Sequence, residues 1–363
     1  MGIVQEAFHG SDLEVIAERY HIDKDSIIPY ASNVNPLGIS PMARQALIDN
    51  IDAIKAYPDR DYISLKTSIA KYCGTSPEQL ILGNGTSNLI RLILETLSPA
   101  KTMIIAPTYA EYARAAKLVG SEIETYMLKN EDDFSLDTDL FLKSLNESFE
   151  LLIICNPNNP TGQALTKEQT EKILKRCLDL NIFVMIDETY VEFVKDVEEI
   201  SSISLSQKYT NFVVLRGVSK FFAAPGIRLG YAITSNRQLL ETASNNKIPW
   251  NINVYASVAG VMFEDEHYIN LTKSLIQTER NLIFSALSSR KTIKLFKPSA
   301  NFILIKLLKE NLTASDVFDY CIHRGLMIRD CTDYEGLGEK YIRFCFLKPE
   351  QNDNVVNTIL EIV

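Results

Sequence analysis

Residues 151–190, LLIICNPNNPTGQALTKEQTEKILKRCLDLNIFVMIDETY, decide the fold. Two short apolar runs, LLIIC at 151–155 and IFVMI at 182–186, stand on either side of a polar, amphipathic stretch. Continuous apolar runs of this length, without alternation, read as strands covered on both faces, as in parallel sheets. Between them Thr166 and Gln169 have the T-x-x-Q spacing of a capping box, which predicts a helix from there to about Leu180. The whole is a strand–helix–strand unit, with the turn NPNNPTG after the first strand and Asp187 closing the second.

The same alternation extends in both directions. Ser40 followed by Pro41 predicts a capped helix running through about Ile54. Leu80–Leu82 reads as a strand, GNGTSN at 83–88 as a tight turn and Leu89–Leu97 as a helix. MIIA at 103–106 reads as a strand, followed by a helix over Glu111–Leu118. FVVL at 212–215 is a strand that ends just before VSKFFAAPGIRLGY at 218–231. The predicted class is α/β, a three-layer, mostly parallel sheet with helices on both faces. In such sheets ligands gather beyond the carboxyl ends of the strands. GNGTSN, NPNNPTG, DETY and the lysine loop each follow such an end, so four polar motifs are expected to converge on one edge. After about residue 245 the pattern changes to a long helical stretch, then strand signals at 300–307, 326–330 and 341–346 and a helix opened by Pro349. That indicates a smaller α+β C-terminal domain. The expected division is an N-terminal arm at 1–40 packing with the small domain, a large domain at 41–245 and the small domain at 246–363.

Composition excludes several classes. In 363 residues, 46% are hydrophobic and 23% charged, which suits an ordinary folded protein with a real interior. A formal charge of −9 and no basic cluster interleaved with aromatics argue against nucleic acid as a partner. The apolar runs are too short for a membrane span and no signal-peptide pattern opens the chain, so the expectation is a cytoplasmic protein without a membrane partner. Six cysteines lack CxxC spacing and are read as reduced and structural. His9, His21, His267 and His323 form no ligand pair, so no metal is expected.

The motifs carry chemistry in combination. Lys220 stands in apolar surroundings that strip hydration from its ammonium form and favour the free amine, a nucleophile toward carbonyls. Asp187 closes a buried strand, where an unpaired carboxylate is costly and calls for a cation. A protonated pyridine nitrogen is one such cation. GNGTS at a helix start offers N–H groups, hydroxyls and a helix dipole suited to a phosphate. Arg228 reads either as a further phosphate contact or as a surface ion pair. Asn159 sits in a proline-fixed turn, which serves equally as a plain strand-to-helix connection.

Asp187-Glu-Thr-Tyr190, Ser219-Lys220 with Arg228 eight positions on, and Asn156-Pro-Asn-Asn-Pro-Thr-Gly162 together resemble the fold-type I pyridoxal-phosphate enzymes, aminotransferase class I/II. The resemblance covers essentially the whole chain. It implies that the large domain binds pyridoxal 5'-phosphate, with Lys220 forming the Schiff base and Asp187 pairing with the pyridine nitrogen. It further implies that Asn159 and Tyr190 contact the ring oxygen, that Thr86, Ser87, Ser219 and Arg228 hold the phosphate, and that Tyr109 stacks on the ring. Tyr57 is expected to reach the cofactor phosphate of a neighbouring subunit in a homodimer, and Arg343 to grip the substrate carboxylate. Asn33 and Arg329 complete the expected substrate contacts, the two arginines serving the substrate phosphate and carboxylate; either arginine reads alternatively as part of a structural ion pair. One departure is Gly217, where the family often has a serine or threonine whose hydroxyl binds the phosphate.

SNVNPLG (32–38), YPDRDY (57–62), AEYARA (110–115), KFFAAPGIRLGY (220–231), IPWNINVYA (248–256) and MIRDC (327–331) are more similar to threonine-phosphate decarboxylases than to histidinol-phosphate aminotransferases. The implied activity is decarboxylation of a small O-phosphorylated amino acid, threonine phosphate or serine phosphate. Transamination of histidinol phosphate or another amino acid is the alternative. A cofactor-binding protein without catalysis is a third reading.

Overall fold

The computed structural model describes residues 12–246 and 248–363. Residues 1–11 of the expected N-terminal arm, including His9, lie outside the described residues. The described residues form eleven strands: β1 (Leu80–Gly83), β2 (Lys101–Ala106), β3 (Glu122–Met127), β4 (Leu151–Cys155), β5 (Phe183–Asp187), β6 (Phe212–Gly217), β7 (Gly230–Ile233), β8 (Ile293–Leu295), β9 (Phe302–Leu307), β10 (Arg329–Asp330) and β11 (Tyr341–Cys345). The first seven form one sheet in the order β1-β7-β6-β5-β4-β2-β3. All run parallel except β7, which is antiparallel to both its neighbours.

Successive residues of a strand point to opposite faces, and the sequence uses both. Ile153, Met185 and Val213 face a layer containing the helices Thr86–Leu97, Glu111–Leu118 and Arg237–Asn246. Ile154, Ile186 and Val214 face the opposite core, with the helix Lys167–Asp179. The expected capping box opens that helix: Gln169 N donates to Thr166 Oγ1 at 3.2 Å and Thr166 N to Gln169 Oε1 at 2.9 Å. The connection after β2 crosses one face and that after β4 the other, so the crevice between them is where the winding reverses.

The second sheet, β10-β11-β9-β8, is antiparallel. Phe302 of β9, fully buried, meets the ring of Tyr190 edge-on at 5.1 Å and joins this sheet to the first. Burying such a ring contributes about 2–3 kcal/mol. Residues 28–30 lie along the same sheet: Ile28 bridges Leu326, and Cys345 N donates to Tyr30 O at 2.8 Å. Ser32 and Asn33 are thereby carried to the cleft between the sheets.

Several boundaries differ from expectation. The helix opened by Ser40 ends at Asp49, and Ile51–Lys55 is a 3-10 turn, because the Asn50 side chain takes the Ala46 carbonyl at 2.9 Å and stops propagation. The helix expected from Leu89 begins at Thr86, since Gly85 at φ 80 makes the turn and Asn88 Oδ1 accepts from Asn84 N at 3.1 Å. Thr86 and Ser87 therefore sit in the first helical turn. Of the segment at 326–330 only Arg329 and Asp330 enter the sheet.

Candidate active site

The four motifs meet at the carboxyl ends of β1, β4, β5 and β6, around a cavity of about 580 Å³. Among its walls are Thr86, Ser87, Tyr109, Asn159, Asp187, Tyr190, Ser219, Lys220 and Arg228. Asn33, Arg329 and Arg343 close it from the side of the second sheet. Tyr57 does not reach it within one chain; its ring is 79% exposed and lies 4.7 Å from that of Trp250.

Lys220 leaves the end of β6 and its Nζ donates to the carbonyl of Ser32 at 2.6 Å. Burial, reinforced by the positive charges of Arg343 and Arg228, pulls its amine down to about 8. An appreciable fraction is therefore unprotonated near neutral pH, as a nucleophilic amine requires.

Asp187, at the end of β5, is 4% exposed. Its Oδ1 accepts from Thr189 N at 2.9 Å and Thr189 Oγ1 at 2.5 Å, and its Oδ2 accepts from Tyr112 OH at 2.8 Å. Burial pushes its carboxyl up against these bonds. Among the described residues no cation pairs with it, and a carboxylate has about four acceptor positions, so one remains for a donor in the cavity. A protonated ring nitrogen meets that requirement.

Arg343 of β11 is 3% exposed and has no carboxylate partner among the described residues. It donates to Asn159 Oδ1, to Tyr334 OH at 3.3 Å and to Ala31 O at 2.9 Å, while its Nε has no partner. With Oδ1 occupied, what Asn159 offers a ligand is its amide N–H. Tyr190 OH accepts from Asn33 Nδ2 at 3.2 Å, and the buried Oδ1 of Asn33 has no partner. Arg329, in β10, is the register partner of Arg343 and forms a two-oxygen ion pair with Asp333 at 2.5 and 2.6 Å.

The other end of the cavity suits a phosphate. Helix Thr86–Leu97 starts there, presenting free N–H groups and the positive end of its dipole. Arg228 holds φ 56 and its guanidinium lies over Gly85, where a Cβ would come within 2.3 Å of Nη2. A side chain at 85 would thus exclude the arginine. A buried carboxylate lacking a cation, an amine of lowered basicity and an anion cradle fit pyridoxal phosphate together.

Several participants were not legible as such. Tyr112 is 1% exposed and reads in sequence as part of the apolar stripe of its helix, although it holds Asp187. Ser32 acts through its main chain, and Asp333 and Tyr334 become neighbours of the arginines only through the β10–β11 pairing.

Known proteins resemble the chain along most of its length. The model of the family "Aminotransferase class I and II" matches residues 25–359. Threonine-phosphate decarboxylase of Salmonella typhimurium is 30% identical over 356 residues, 98% of this chain and 96% of the relative. Histidinol-phosphate aminotransferase of Methanosphaera stadtmanae is 32% identical over 358 residues, 98% of this chain and 95% of that one. The crystal structure of histidinol-phosphate aminotransferase from Clostridium acetobutylicum superposes with a TM-score of 0.86 at 31% identity, covering 92% of this chain and 98% of that one. The chain belongs to the aminotransferase class I and II family.

Proposed function

We propose that the protein is a pyridoxal-phosphate enzyme that decarboxylates a small O-phosphorylated amino acid, with threonine phosphate as the first substrate to test. The observation that carries this reading is the Arg329–Arg343 pair. Like charges directly opposite each other in an antiparallel ladder are destabilising, yet these two are register partners on one wall of the cavity. A substrate with both a carboxylate and a phosphate offers an anion to each guanidinium, with Asp333 giving way at Arg329; histidinol phosphate brings one anion, while the 2-oxoglutarate of the transaminase reading brings two. The decarboxylase relative supports the same reading.

Bound in this cavity, pyridoxal phosphate would supply a protonated ring that withdraws electrons from the substrate Cα. Asp187, held by Tyr112 and Thr189, keeps the proton on the ring nitrogen. Lys220 would hold the cofactor through its amine and would be the group placed to give a proton to the substrate Cα. Thr86, Ser87, Ser219 and Arg228 would hold the cofactor phosphate, Asn159 and Tyr190 would contact the ring oxygen, and Tyr109 would cover the ring. Arg343 takes the substrate carboxylate, and Arg329 takes the substrate phosphate in exchange for Asp333. By fixing the substrate's carboxylate and phosphate, the two arginines would set how the bonds to Cα are oriented in the cavity.

Transamination is the second reading, favoured by the histidinol-phosphate aminotransferase relatives. We also propose a homodimer. Ile51, Ile54, Tyr57 and Trp250 are exposed on segments joined by the Tyr57–Trp250 ring contact and by the Tyr255 OH to Ile51 O bond. A second copy covering them would carry Tyr57 to the partner's cavity. The deciding experiment incubates the holoenzyme with threonine phosphate, serine phosphate, or histidinol phosphate plus 2-oxoglutarate, and measures carbon dioxide and glutamate separately. Carbon dioxide from threonine phosphate or serine phosphate is expected. Glutamate without carbon dioxide would reject the decarboxylase.

A further inference from the structure

Three strands of the large sheet carry a glycine at one register. Gly83 of β1 and Gly217 of β6 are both partners of Gly230 in β7. A Cβ on Gly230 would lie 2.7 Å from the carbonyl carbon of Gly85 and from the amide nitrogen of Thr86. The Gly85–Thr86 peptide therefore rests on the Cα of Gly230 and cannot retreat toward the sheet. A Cβ on Gly217 would meet Thr86 Cγ2 at 3.0 Å. A side chain at 217 would press on the Thr86 methyl group, which packs against Gly217 from the neighbouring helix.

We infer that Thr86 and Gly217 form one complementary pair: Gly217 leaves the room that holds the Thr86 side chain in place, and Thr86 supplies the phosphate-binding hydroxyl that position 217 lacks. This rests on the proposed binding of pyridoxal phosphate. Threonine carries its methyl and hydroxyl on the same Cβ, so they turn together about χ1. With the backbone pinned by Gly230, a methyl group added at 217 is accommodated by turning that side chain, which swings the hydroxyl off the phosphate. The glycine at 217 is then a condition of phosphate binding by Thr86 rather than a lost contact.

The test is a double-mutant cycle read as the dissociation constant of pyridoxal phosphate, obtained by titrating the apo-protein and following visible absorbance. G217A adds a methyl and no donor. It is expected to weaken binding about tenfold beside Thr86 and less than about twofold in T86S/G217A, where the clashing methyl is gone. T86S alone keeps the hydroxyl without the packed methyl and serves as the reference for T86S/G217A, so the G217A effect is read as a ratio within each background. T86V keeps the shape and needs no new space, so it tests the hydroxyl even where alanine at 217 impairs folding. It should bind about tenfold more weakly, with the melting temperature of the apo-protein unchanged. An equal G217A effect in both backgrounds, or wild-type affinity in T86V, overturns the pair while leaving the proposed function intact. A wild-type chain that does not take up pyridoxal phosphate overturns both.

Discussion

Replacing Tyr112 by phenylalanine removes one of three hydrogen bonds on Asp187, the only one received by Oδ2 among the described residues. A hydrogen bond to a charged group is worth about 1.5–3 kcal/mol, and 1.36 kcal/mol corresponds to one pH unit. The carboxyl of the variant therefore takes up a proton about 1–2 pH units higher. Once neutral it would no longer hold the proton on the ring nitrogen of the proposed cofactor, so the acidic limb of kcat/KM moves up by the same interval. The ring remains to fill its buried site and meet Tyr109 edge-on, 5.6 Å between centroids, so the melting temperature drops by no more than about 4 °C. The assay is kcat/KM for threonine phosphate against pH, beside a thermal melt. An unchanged acidic limb with wild-type kcat/KM would refute the claim that Tyr112 acts through Asp187.

Asp333→Asn frees Arg329 from its two-oxygen ion pair and is expected to tighten inhibition by inorganic phosphate about threefold; a weaker inhibition would show that Asp333 aligns Arg329 rather than competing for it. Arg343→Lys keeps a charge but loses the planar fork, so the KM for the amino acid should rise about tenfold or more, and an unchanged KM would remove Arg343 from the substrate site. Glu192, buried near Arg216 with neither carboxyl oxygen hydrogen-bonded, is pushed by burial up to about 7. The folded chain thus binds that proton more tightly than the unfolded chain, whose carboxyl titrates near 4.5. Stability from this group is complete below about pH 4.5 and is lost as pH rises to about 7, by an amount of order 3 kcal/mol. Glu192→Gln should flatten that decline in a melting series from pH 4.5 to 8, and an identical slope would contradict it.

The parts of the fold legible in sequence were those whose signal is local and uniform. β4 and β5 are covered on both faces, so every residue is apolar and the strands announce themselves. β3 is an edge strand with partly exposed residues, β7 has four residues and opposes its neighbours, and β8 has three, so none was visible as a strand. The site follows the same rule. Asp187 ends β5, Asn159 and Lys220 follow β4 and β6, and Arg228 shares the lysine loop, each a polar or charged type close to an apolar run. Tyr112, Asp333 and Tyr334 gain their roles from which segments pair in three dimensions, which spacing alone does not display. Gly217 shows the converse: a residue that departs from the expected pattern makes physical sense only beside Thr86.

The central claim is that one amine, on Lys220, holds an aldehyde whose ring nitrogen faces Asp187. Its most direct test is borohydride reduction of the yellow holoenzyme, followed by proteolysis and mass spectrometry. The account predicts a reduced pyridoxyl phosphate group on the peptide containing Lys220, and none in K220A reduced in parallel. A label on another lysine, or a wild-type protein that acquires none, would contradict it.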